Sequence, residues 1–117
     1  MNRTDIFEYV KNKYLTEPEY LWKKYPRYVV LRHQDSRKWY AIIMDVDKAK
    51  LDVPEDTGVE DLIDIKLPPE TISNLHEFPE FLPAYHMNKT HWISVRLELA
   101  KNEELTNLID ESFRLTK

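Results

Sequence analysis

Between Pro83 and Trp92 the chain reads PAYHMNKTHW, gathering two histidines, a tyrosine, an asparagine, a lysine and a tryptophan with no acidic residue among them. Side chains of this kind serve three chemistries. A metal site would need ligands at a working spacing, and His86 and His91 are separated by four intervening residues across a turn, outside the helical H-x-x-x-H geometry and without a cysteine or carboxylate in the stretch; no metal or other cofactor is expected. Proton transfer would use either histidine with Tyr85 or Lys89 assisting, yet no nucleophile-elbow serine and no matched carboxylate pair accompanies them, so the expectation is a non-enzymatic protein. Anion contact is the third: His86, Asn88, Lys89 and His91 on a protruding hairpin offer donors to phosphate with no neighbouring carboxylate to repel it. Turn chemistry alone also explains most of these identities. Asn88 would close the turn, Pro83 would set its entry, and Tyr85, Met87 and Trp92 would pack.

The elements that must hold this stretch are legible from periodicity. Thr4 reads as the cap of a helix carrying Asp5 and Glu8 in its first turn and Ile6, Phe7, Val10 and Tyr14 on one face. Pro18 and KKYPRY break that pattern. YVVLRH (28–33) and KWYAIIMDV (38–46) are β-branched and aromatic and flank the turn Gln34–Arg37, so they predict a hairpin. After an acidic loop with Pro54 and Gly58, LIDIKL (62–67) alternates as a strand with one dry face. Pro69, Glu70, Ile72 and Leu75 define a short helix. Residues 83–87 then predict a fourth strand, Asn88-Lys89 a tight turn or part of a three-residue loop, and WISVRLEL (92–99) a fifth strand. Asn102 reads as the cap of a last helix with Leu105, Leu108, Ile109 and Phe113 on one stripe. The predicted class is α+β: a two-layer α/β sandwich in the order α-β-β-β-α-β-β-α, with an antiparallel sheet, helices on one face and the other face open to solvent or a partner.

Composition narrows the functions. A chain of 117 residues and 14.1 kDa suits one domain, residues 1–117, with a single core. It has no cysteine, which excludes disulfides and thiolate chemistry and fits a reducing compartment. No aliphatic run approaches a membrane span and the start MNRTDIFEYV has no apolar signal core, so a cytoplasmic protein without a membrane partner is expected. A single glycine, Gly58, leaves no phosphate-cradling glycine loop. The net charge of −4 argues against indiscriminate nucleic-acid binding, but its distribution is uneven. Residues 23–38 hold six cations against Asp35 alone, and residues 45–64 hold eight acids against Lys48 and Lys50, which polarises the molecule unless those segments fold together.

HMNKTHWISVRL (86–97) resembles the signature H-[L/M]-N-K-x-H-W-x-[S/T]-V of the MmcQ/YjbR family, small bacterial proteins of largely unassigned function. The resemblance extends to LWKKYPRYVVLRH, to KWYAIIMDV and to the terminal LIDESF, and so covers nearly the whole chain. Where relatives commonly carry Asp-Gly-Ser before the last helix, this chain has Glu98-Leu99-Ala100-Lys101-Asn102, which alters the turn there. The family resemblance implies a two-layer sandwich of the secretion-chaperone and frataxin-like type, and DNA binding through two hairpin wings. On that reading Arg32, Arg37 and Lys38 of the first hairpin and His86, Asn88, Lys89 and His91 of the second meet phosphates, with Arg27 and Arg96 in support. The competing expectations are a protein partner or second copy docked on the open sheet face through Trp39, Tyr85 and Trp92, and a small ligand held beside the 83–92 stretch.

Overall fold

The computed structural model describes residues 1–117 as three α-helices and five strands in the predicted order: α1 (Arg3–Tyr14), β1 (Val29–Arg32), β2 (Trp39–Asp47), β3 (Val59–Lys66), α2 (Pro69–Leu75), β4 (Phe81–Pro83), β5 (Trp92–Arg96) and α3 (Asn102–Leu115). The strands form one antiparallel sheet in the order β1-β2-β3-β5-β4. Because only β3 intervenes between β2 and β5, those two strands run the same way. Leu31, Ala41, Ile65, Ile93 and Pro83 stand abreast in one row across the sheet. The turn before β2 and the loop before β5 therefore leave the sheet at the same end.

Alternation turns one set of side chains toward the helices. Val29, Leu31, Ala41, Ile43, Ile63, Ile65, Ile93 and Val95 meet Ile6 and Val10 of α1, Ile72 of α2, and Leu105 and Ile109 of α3 in one buried cluster. Polar ties fix the layers. The Tyr9 and Tyr14 hydroxyls and the Lys13 ammonium all donate to the Asp110 carboxylate, joining α1 to α3. A bulge in the β1–β2 pairing, where Leu31 faces Ala41 but Arg32 faces Trp39, puts Tyr40 on the helix side beside Ala41. The Ser112 hydroxyl of α3 lies beside it, accepting from the Lys66 backbone N–H at 2.9 Å and donating to the Tyr40 carbonyl at 2.6 Å. It thus satisfies two backbone groups just beyond the last β2–β3 pair, Ala41 with Ile65.

Five details depart from the sequence expectations. Asn2, not Thr4, caps α1: its side chain accepts from Asp5 N–H while the Asp5 carboxylate accepts from Asn2 N–H, a reciprocal box starting two residues earlier. Lys101 is the residue before α3, and Asn102 instead accepts from the amino terminus at 2.8 Å. The fourth strand is Phe81–Pro83, not 83–87, and β5 stops at Arg96 because the Leu99 and Ala100 N–H groups both turn back to the Arg96 carbonyl. The largest departure is the second sheet face, which is not open. Tyr28, Ile42, Met44, Val46, Leu62 and Leu82 form a second buried cluster there, roofed by Trp22, Leu51, Val53, Tyr85 and Met87 from the connecting segments. The chain closes both faces, one with helices and one with loops.

Candidate anion-binding end and the loop-covered face

The two turns at the shared end of the sheet are built differently. The first, residues 33–38, is held by His33 N–H to the Lys38 carbonyl at 2.9 Å and by Arg37 N–H to the His33 carbonyl at 3.1 Å, with Arg37 in the left-handed region at φ 65°. His33 itself is buried. Thr116 uses its hydroxyl hydrogen on the Ser112 carbonyl at 2.7 Å, which leaves its oxygen to accept from His33 Nε2 at 2.9 Å. Burial lowers the pKa of this imidazole, so it is a neutral anchor and not a phosphate donor. The second turn is not the tight hairpin expected from Asn88-Lys89, since residues 84–91 form a longer loop. Asn88 still closes its end: Oδ1 accepts from Thr90 and His91 N–H at 2.9 and 3.0 Å, and its carbonyl accepts from Trp92 N–H at 2.9 Å.

The rest of that loop folds back over the second face. Tyr85 N–H donates to Ser94 Oγ at 2.9 Å, and Ser94 donates in turn to Asp64 Oδ1 on β3. Asp64 is fully buried and its second oxygen has no partner. Burial, only partly offset by the Ser94 bond and the charge of Lys89, pushes its pKa up to about 8. His86 takes a left-handed backbone conformation at φ 61°. Its ring lies 4.0 Å from that of Tyr85. His86 borders two adjoining cavities, one with Tyr25, Tyr28 and Asp47 and one with Leu82, Ala84 and Lys89, and His91 borders neither.

The cations expected to meet phosphate separate into two groups. Arg32 and Arg37 converge on Glu19, Arg32 through Nε at 2.8 Å and Nη2 at 2.6 Å, and Arg37 through Nη2 at 3.0 Å. That contact lowers the Glu19 pKa, chiefly through the Arg32 hydrogen bonds. Arg27 stands 3.7 Å from Asp45, so the basic and acidic segments do meet there and the expected polarisation is reduced. Arg96 is a correction to the expected set of phosphate contacts. It is 2% exposed, with Nε on Glu60 at 2.7 Å and Nη2 on Glu55 at 3.1 Å, so its charge is spent inside the fold. Lys38, Lys89, His86 and His91 are exposed and make no ion pair. The expected docking residues are also placed differently. Trp39 and Tyr85 pack against the second cluster, Trp39 edge-on to Trp22 at 5.9 Å, and Trp92 is half-buried beside Lys66 at the start of β5. None stands on a bare sheet.

Residues that the sequence reading passed over complete this end. Lys66 closes β3 between the two turns, and Lys117 follows the Thr116 that bonds His33. Neither makes an ion pair. Lys66 had a signal, since it alternates with Asp64 on the polar side of LIDIKL; Lys117 had none, because its place depends on where α3 ends.

Comparison with known proteins agrees with this architecture. A family model described as YjbR matches residues 11–115. The uncharacterized protein YyaQ of Bacillus subtilis (strain 168) is 48% identical over 118 residues, which span 100% of this chain and 99% of YyaQ. A crystal structure of a protein from Pseudomonas syringae, 43% identical, superposes with a TM-score of 0.95 over 100% of both chains. A solution NMR structure from the same organism, also 43% identical, gives 0.88 over 100% of this chain and 94% of that one.

Proposed function

This chain belongs to the YjbR family, and we propose that it is a nucleic-acid-binding module, with no reaction of its own, that meets duplex phosphates with the end of the sheet where the two turns lie together. One observation carries this reading: residues 33–38 and 88–91 flank the end of β3, so that Lys38, Lys66 and Lys89 come from three separate strand ends to one edge of the molecule. Lys117, from the end of α3, adds to the same edge. The lysines are unpaired and extended into solvent or half-buried, so a phosphate can replace their water without first breaking an internal ion pair. Arg32 and Arg37 contribute less, because Glu19 already holds them. The net charge of −4 makes the interaction weak and strongly salt-dependent. No helix is long and apolar enough to cross a membrane, and the proposal places the chain in the cytoplasm, where nucleic acid is accessible.

The test is a salt titration of duplex DNA binding. The wild-type chain should bind at low ionic strength and lose affinity linearly in log salt. A Lys38→Glu, Lys89→Glu double variant should lower the slope by about 2, one for each lost phosphate contact. A wild-type chain that fails to bind at low salt, or a double variant with unchanged affinity, overturns the proposal. Docking through the sheet face is the weaker alternative, because loops already cover that face.

A further inference from the structure

We infer that the cleft beneath the 84–91 loop is a second site, sharing Lys89 with the proposed duplex-binding edge, one that takes a phosphate monoester attached to a planar ring, the chemistry of a mononucleotide. Two adjoining cavities, of about 390 and 300 Å³, share Lys50, Tyr85 and His86 as their common wall. Each alone lies at the lower end of the volumes that hold small organic ligands, and together they fall well within that range. Their linings divide by chemistry. The smaller cavity has a floor of Leu82, Pro83 and Ala84 and is ringed by Lys50, His86 and Lys89, three donors with no internal carboxylate partner. This is where a phosphate would sit.

The larger cavity holds the aromatic rings, with Lys24, Asp45 and Asp47 also in its wall. Tyr25 and Tyr28 stack at 4.6 Å, Tyr25 is 40% exposed, and Tyr85 stands across from them on the shared wall. A planar ring finds π-faces there. The acids present do not contradict an anion. Asp45 is engaged by Arg27 at 3.7 Å. Asp47 and Asp52 lie one in each cavity, where a carboxylate can accept the hydroxyls of a sugar lying between ring and phosphate. Bare phosphate would use only one of the two cavities, and an uncharged ring only the other, so an occupant combining both gains most.

The inference does not rest on the duplex-binding proposal: Lys89 belongs to both sites, but Lys50 lies at the opposite end of β2 from the two turns and belongs to the cleft alone. It is tested on the full chain by NMR titration with adenosine monophosphate, with adenosine and inorganic phosphate as controls. The expected result is saturable shifts at Lys50, Tyr85, His86 and Lys89, with both controls at least about tenfold weaker. Lys50→Glu, at an exposed position, should abolish those shifts while leaving the rest of the spectrum and duplex binding intact. Absence of saturable shifts, adenosine binding as well as its monophosphate, or a Lys50→Glu chain that still binds would each overturn it. A short single strand with and without a terminal phosphate separates the two sources of the ligand. Preference for the phosphorylated strand over the free nucleotide assigns the cleft to a strand end, and the reverse assigns it to a metabolite.

Discussion

The two faces of this sheet are buried by different means. On the helix face, side chains from three helices interdigitate with strand residues, and the ionisable groups buried beside them, His33, Tyr40 and Asp110, are each hydrogen-bonded to a neighbouring side chain. On the loop face the cluster is smaller, its roof comes from irregular segments, and it surrounds Asp64 while Arg96 and Glu60 lie buried on the same side of their strands. A helix must bury a stripe and so brings a regular array of apolar groups. A loop satisfies its own backbone case by case and leaves polar strand residues under it. The difference is one of what lies under cover: the helix face buries a nearly continuous apolar array, and the loop face keeps polar and charged strand residues buried at some cost to stability.

Ile63 and Leu62 test this most directly, because they are consecutive on β3, both fully buried, and point to opposite faces. Ile63→Ala should cost about 4 kcal/mol, the range for a tightly packed cavity that helices cannot close. Leu62→Ala should cost nearer ~2 kcal/mol, since the loops above it can settle into the gap. Urea unfolding of both variants measures the difference, and equal losses would break the comparison. Next in size is Arg96. Replacing it alone by leucine strands the buried Glu60 carboxylate and should cost roughly 3 kcal/mol, whereas the Arg96→Leu, Glu60→Leu pair should recover most of that loss. Glu55, being half-exposed, simply returns to water.

Asp64 gives the comparison a pH dependence. Its folded pKa, raised to about 8 mainly by burial, lies above that of the unfolded chain. The unfolded state therefore releases this proton first as pH rises, and the folded state loses stability across the window from about 4 up to about 8. Asp64→Asn keeps a partner for Ser94 and removes the ionisation, so it should stabilise the fold by about 2 kcal/mol at pH 8 and by almost nothing at pH 4. Thermal melts of both proteins across that range decide the matter; parallel curves would mean that Asp64 is ionised and solvated in the fold. His33 works in the opposite sense on the helix side. Its depressed pKa adds stability above its unfolded value, lost as acid protonates it, and His33→Gln should flatten the acid limb alone.

The helix face was readable before the structure for a simple reason: period. Ile93, Val95 and Leu97 alternate, as do Ile63, Ile65 and Leu67, and Ile6, Val10, Leu105 and Ile109 recur at helical spacing, so element order and inward sides followed from the residues themselves. The loop face was not readable, because Trp22, Leu51, Val53, Tyr85 and Met87 sit in aperiodic segments whose path depends on the finished sheet. The polar sides of β3 and β5 were correctly identified as such; what alternation could not say is that loops would bury Asp64 and Arg96 anyway. Asn88 is legible as a turn residue from its chemistry, whereas the positive φ at His86 has no local signal in the sequence.

The smallest effect on stability is the one most informative about function. Glu19 sits before β1, where its backbone pairs with Val30 in both directions at 3.1 and 2.9 Å while its carboxylate holds Arg32 and Arg37. Glu19→Gln preserves the backbone bridge and removes only the charge. Arg37 is half-exposed while Arg32 and Glu19 are partly shielded, and the Gln carbonyl oxygen still accepts a hydrogen bond there, so the loss should be about 1 kcal/mol. Yet two guanidinium groups next to the first turn would then face solvent uncompensated. If that end of the sheet is where phosphate is met, the variant should bind duplex DNA more tightly than the wild type at low salt and with a steeper salt dependence. If Glu19→Gln leaves DNA affinity unchanged while Lys38→Glu still lowers it, contact is confined to the lysines at the tips, and the arginines serve only to pin the segment before β1 to the edge of the sheet.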